Sequence, residues 1–199
     1  MKTIKNDISY LKDVKELLIT IDMVNGFVKE GSLAAPSIMR IVPRQIELLD
    51  DAIINHNVGM VFIRDCHKED SVEFNTYGKH CIDGTLETCV IDELSEYAKY
   101  GLEYKKNSTN LIFAPGFQDD LMRLKKLKRV ILMGCLAEIC VKNGAIGLRT
   151  FFDQMNMNID VCVYADAIDT FDTLGHNADE VILSALNDME SNGIKILRK

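Results

Sequence analysis

No two cysteines stand in CxxC spacing, and six in 199 residues (Cys66, Cys81, Cys89, Cys135, Cys140 and Cys162) fall short of the density of a small secreted disulfide scaffold. They read as free thiols in a reducing compartment. With 3 prolines and 12 glycines the chain is neither collagenous nor of low complexity, and no internal repeat or linker divides it. No apolar run approaches the roughly 20 residues of a membrane span. The opening MKTIKNDISYLKDVKE is too polar for a signal-peptide core, so the expected location is cytoplasmic. Basic residues are the minority, 23 against 30 acidic ones. The net charge of −7 disfavours nucleic acid and anionic membranes as partners and leaves a small molecule.

What is present is a globular composition, 47% hydrophobic and 27% charged, at a length that suits a single domain over residues 1–199. Six short apolar runs rich in β-branched residues read as strands: Leu17–Asp22, Val58–Asp65, Gly101–Lys106, Arg129–Gly134, Ile159–Ala165 and Gly193–Leu197. Segments of helical period lie between them, at Pro43–Asn57, Gly116–Lys126, Ala137 to about Phe152, and Asn177–Asn192. Alternation of this kind predicts an α/β fold, a doubly wound, mainly parallel six-stranded sheet with helices on both faces. Such sheets bind ligands beyond the carboxyl ends of their strands. The stretch Cys66–Glu96 shows neither period and holds two of the four histidines, so it reads as a binding loop.

Chemistry-bearing residues collect at the expected strand ends. Asp22 follows LLITI and reads either as a general base or as a turn residue before Asn25-Gly26. Lys105 and Lys106 end the third run, and strand alternation lets only one of them face the same edge; a solvated pair is the other reading. Cys140 falls in the first turn of the helix after the fourth strand, where unpaired N–H groups favour a thiolate nucleophile, although an inert buried thiol fits as well. Asp65-Cys66-His67 leaves the second strand, and Glu73 and His80 follow in the loop. Together they make an N/O set suited to Zn²⁺, with Mn²⁺ or Fe²⁺ as alternatives, or else polar loop residues. His56 reads as a residue at a helix C-terminus and His176 as one at a helix start, neither with a chemical role.

Taken together, ITIDMVNGF, EYKKNSTNLIF and ILMGCLAEICV resemble the Asp, Lys and nucleophile motifs of the isochorismatase-like cysteine hydrolases, over nearly the whole chain. The resemblance implies a catalytic triad of Asp22, Lys106 and Cys140. It also implies a cis peptide at Cys135–Leu136 that turns the amides of Leu136 and Cys140 toward an oxyanion. RDCHKEDSVEFNTYGKHCIDGT is similar to the metal segment of the nicotinamidases within that superfamily, a metal-binding loop at about 65–96. This implies Asp65, His67, His80 and Glu73 as ligands of a divalent transition metal, and Phe27 and Tyr77 as rings that stack on a pyridine. The implied activity is hydrolysis of nicotinamide to nicotinate and ammonia through a thioacyl-enzyme, by a chain that assembles into a homo-oligomer. Leu136-Ala137-Glu138 departs from the usual small-Thr-Asp run before the nucleophile. A ureido or carbamoyl amidohydrolase of the same superfamily is therefore the alternative reading. A non-catalytic metal or thiol-redox protein is a further one, and it would leave Asp22 and Lys106 idle.

Overall fold

The computed structural model describes residues 8–198. Its strands are β1 (Glu16–Ile21), β2 (Val58–Asp65), β3 (Leu102–Lys106), β4 (Arg129–Cys135), β5 (Asp160–Asp169) and β6 (Lys195–Leu197). They form one sheet in the order β3-β2-β1-β4-β5-β6, and every neighbouring pair is parallel. The helices are α1 (Asn25–Val28), α2 (Val42–Ile54), α3 (Phe74–Tyr77), α4 (Asp92–Ala98), α5 (Phe117–Arg123), α6 (Lys142–Gln154) and α7 (Ala178–Ser191).

Strand alternation sorts the apolar residues into two cores, one on each face of the sheet. Ile19, Ile21, Val61 and Leu132 pack with Phe117 of α5, Leu148 and Phe152 of α6, and Met189 of α7. Leu18, Met60, Phe62 and Ile131 pack with Leu49 of α2 and Leu94 of α4. The sheet is thus buried on both sides, which explains the near-continuous apolar strands. The chain winds outward from β1 in both directions, so β1 and β4 flank the point where the strand order reverses. In sheets of this kind ligands bind at such a point, beyond the carboxyl ends of the strands. Gly134 allows β4 to approach β1 closely: its φ is +126° and a Cβ would lie 2.0 Å from the Ile21 carbonyl oxygen. None of the described helices is long and apolar enough to cross a membrane.

Three of the departures from the sequence reading concern the segments around the site. The helix expected from Ala137 begins as a wide π-helical turn, Ala137–Val141, in which the Val141 N–H bonds to the Leu136 carbonyl five residues back; the regular helix starts at Lys142. The loop read as lacking period contains α3 and the start of α4, helices of 4 and 7 residues whose buried residues are too few to establish a period. β5 runs on to Asp169, past the expected end at Ala165. A register shift opposite Leu132/Gly134 absorbs the polar residues there, and Asp166 pairs with Arg44 at 2.9 Å.

Candidate active site

Four strand ends supply the centre of the site. Asp22, one residue past β1, has a left-handed backbone with φ 53°. Its N–H donates to the Ile63 carbonyl oxygen and its Oδ1 accepts the Asp65 N–H, both at 2.8 Å. The residue is fully buried and cannot be a solvated turn aspartate. Strand alternation separates the two lysines at the end of β3. Lys105 points out to Asp83 at 2.7 Å, whereas Lys106 is buried, with Nζ 2.8 Å from Asp22 Oδ2, 2.5 Å from Asp65 Oδ1 and 3.6 Å from Cys140 Sγ. Cys140 lies in the π-helical turn, 4% exposed. Asp22, Lys106 and Cys140 therefore meet, although 118 positions separate the first from the last in the sequence (140 − 22). The Cys135–Leu136 bond is cis, and the Cys135 thiol donates to the Asp22 carbonyl oxygen at 3.2 Å.

Burial raises the Asp22 carboxyl to about 6, against the pull of the Lys106 charge. Burial also disfavours the charged form of Asp65, but the Lys106 charge beside it outweighs this and holds that carboxylate well below its usual range. Lys106 is desolvated, yet Asp22, Asp65 and Cys140 keep it firmly protonated. At Cys140 the pull of Lys106 toward the thiolate, expected from the sequence, is opposed. Burial and the negative charges of Asp22 and Asp65 push the thiol well up, in spite of Lys106. The arrangement is a neutral thiol beside a carboxyl poised to take its proton.

Asp65, His67, Glu73 and His80 each offer a ligand atom, and these atoms all lie within 4.8 Å of one another. His67 Nδ1 donates to the Asn107 side-chain oxygen at 2.9 Å and His80 Nδ1 to the Gly78 carbonyl at 2.8 Å. With the ring protons on Nδ1, each Nε2 turns a lone pair toward Asp65 Oδ2, at 3.3 Å for His67 and 3.5 Å for His80. His67 Nε2 is buried with no hydrogen-bond partner. Lone pairs facing a carboxylate repel unless a cation lies between them, so these residues fit a divalent metal. Glu73 Oε1, 3.8 Å from His67 Nε2, is the outermost of the four.

Phe27 packs its ring against His80 at 5.6 Å between centroids. Tyr77 is half-buried at the end of α3, the short helix that follows Glu73. Sequence reasoning missed Phe74. Its ring wedges edge-on against both imidazoles, 5.3 Å from His67 and 5.7 Å from His80. A loop without period gives no hint of which aromatic faces inward. Asn107, which orients His67, was missed as well; its place directly after the strand-end lysine was the available signal.

A six-stranded parallel sheet with Asp22, Lys106 and Cys140 brought together beyond its central strands defines an α/β protein with a candidate active site there. The chain belongs to the isochorismatase family, whose Isochorismatase domain profile matches residues 16–190. Comparison with curated protein sequences gives no match. Among solved structures the chain is similar to a pyrazinamidase/nicotinamidase from Streptococcus mutans, with 22% identity and a TM-score of 0.76 over 92% of this chain and 100% of that one. A pyrazinamidase from Pyrococcus horikoshii in complex with zinc has 24% identity and a TM-score of 0.73, over 93% and 99%. An N-carbamoylsarcosine amidase from Thermoplasma acidophilum has 24% identity and a TM-score of 0.71, over 93% and 96%. At these identities the likeness is one of fold.

Proposed function

We propose that the protein is a metal-containing cysteine amidohydrolase that converts nicotinamide to nicotinate and ammonia, with Asp22, Lys106 and Cys140 as its triad. The observation that carries the reading is the shared carboxylate of Asp65, which joins a metal-suited N/O cluster to the lysine beside the thiol. The zinc-bound pyrazinamidase of the same fold supports it. We also read the enzyme as cytoplasmic, a compartment that keeps its six free cysteines reduced.

Asp22 takes the Cys140 proton as the sulfur attacks the carboxamide carbon, and Lys106 stabilises the charge that develops on sulfur. The carbonyl oxygen becomes an oxyanion held by the N–H groups of Leu136 and Cys140. Asp22 then returns its proton to the amide nitrogen, the C–N bond breaks and ammonia leaves. A water gives a proton to Asp22 and attacks the thioester, which releases the acid and restores the thiol. A divalent ion on Asp65, His67, Glu73 and His80 would supply an anchor for the pyridine nitrogen. Phe27 and Tyr77 would hold the ring faces.

The test is ammonia release from nicotinamide, benzamide and a small ureido compound side by side. Nicotinamide should be the best substrate and benzamide much poorer, because benzamide leaves the metal site without its nitrogen partner. A clear preference for the ureido compound would overturn the nicotinamidase reading and leave the triad standing.

A further inference from the structure

Glu138, two residues before Cys140, is tied to a part of the chain that the proposed chemistry does not use. Its Oε1 accepts the Thr170 hydroxyl at 2.9 Å and lies 3.2 Å from His176 Nε2. The His176 ring stacks on Phe171, 3.9 Å between centroids and 14° from parallel, and its Nδ1 donates to the Phe171 carbonyl oxygen at 3.0 Å. A carbonyl can only accept, so Nδ1 carries a proton. Nε2 then faces the Glu138 carboxylate oxygen at hydrogen-bonding distance, which links the ring to the turn. His176 directly precedes Asn177, the N-cap of α7, as the sequence reading had it, and is in addition a partner of the nucleophile turn.

The tie continues into the sheet. The Thr170 N–H donates to Asp169 Oδ1 at 2.8 Å, and Asp169 is buried in a two-pronged pair with Arg40, both contacts 2.7 Å. Asp169 sits in register with Cys135, the last residue of β4. Of the five side chains in Ala137–Val141, the Cys140 thiol and the Glu138 carboxylate are the only polar groups. Glu138 is therefore the side chain through which this turn is hydrogen-bonded to the β5–α7 connection.

We propose that Glu138 is a positioning residue: held by Thr170 and His176, it fixes the turn that aims the Cys140 sulfur and amide at the substrate carbonyl. The proposal rests on the reading of Cys140 as the nucleophile. Displacement of a reacting group by about 1 Å can cost on the order of 100-fold in rate, so a turn braced at one point is sensitive to the loss of that point.

The experiment compares the full-length wild type with Glu138→Ala, His176→Ala, the double variant and Glu138→Gln. It measures kcat and KM on nicotinamide, the rate of Cys140 alkylation by iodoacetamide resolved by mass spectrometry, and Tm. Both alanine variants should lose about 10- to 100-fold in kcat with little change in KM, and Cys140 alkylation should slow with it. The double variant should be no worse than Glu138→Ala, because the two residues act through one contact. Glu138→Gln should keep most of the activity, since its amide can donate one N–H to a neutral His176 Nε2 and the other to Thr170 Oγ1. His176→Ala leaves the turn's own sequence intact and carries the test if Glu138→Ala fails to fold. Wild-type kcat and alkylation rates in His176→Ala, or a change confined to KM, would overturn the proposal. If wild-type enzyme fails to hydrolyse nicotinamide, the substrate reading falls separately; the alkylation rates still decide the positioning role, and unchanged rates reject it.

Discussion

Asp65 Oδ1 lies 2.5 Å from Lys106 Nζ, while the other oxygen of the same carboxylate faces the Nε2 atoms of His67 and His80. One side chain thus serves both the cation cluster and the lysine beside the nucleophile. The consequence is a difference between variants. Loss of a histidine should remove metal alone, whereas loss of the Asp65 charge should disturb metal and triad together.

Purified protein should carry about one transition-metal ion per chain, and His67→Ala should lose it. Excess zinc should restore part of the turnover of His67→Ala and none of that of Asp65→Asn, whose Lys106 has lost an anionic partner. Asn107→Ala should weaken metal affinity about 10- to 100-fold by freeing the His67 ring. Elemental analysis and ammonia release check each variant; a metal-free wild type insensitive to chelators would contradict all three.

Cys140→Ala should reduce turnover on the order of a million-fold while fold and metal content stay intact. Cys135→Ala should be milder. It removes a thiol bonded to the Asp22 carbonyl and a little buried volume, with a stability loss of about 1–2 kcal/mol in urea unfolding. Equal activity loss in both would argue against Cys140 as the attacking sulfur.

Phe74→Ala and Tyr77→Ala should separate two aromatic roles on one short helix. Phe74 packs on both imidazoles, so its loss should appear in metal affinity. Tyr77→Ala should leave metal content alone and raise KM about 3- to 10-fold, the equivalent of a lost ring stack. Metal titration and steady-state kinetics on both variants are sufficient.

Gly134→Ala should destabilise the fold by at least about 2 kcal/mol in urea unfolding, because a Cβ would meet Ile21 backbone atoms at a φ of +126°. Ala at Gly84, where nothing lies within 4 Å, is the control for positive φ alone. It should cost less.

The periodic parts of the chain were legible because periodicity reports burial. Val58–Asp65 stands where β2 does, and the sheet buried on both faces follows from apolar runs such as Leu17–Ile21. The order of motif-bearing strand ends also carried the family, since Asp22, Lys106 and Cys140 each sit at a strand-to-turn boundary that a linear pattern marks. Tertiary structure decided the rest. The β2–β3 register and the pleat at β3 chose Lys106 over Lys105. Burial, together with carboxylates from two other strands, raises the Cys140 thiol against the pull of Lys106, which local sequence does not show. Phe74 and His176 acquired their partners because loops without period are oriented by what they pack against, and those neighbours are far away in sequence. Local sequence sets local conformation and solvent preference; charge state and contact depend on the electrostatic and steric environment that distant segments bring to one place.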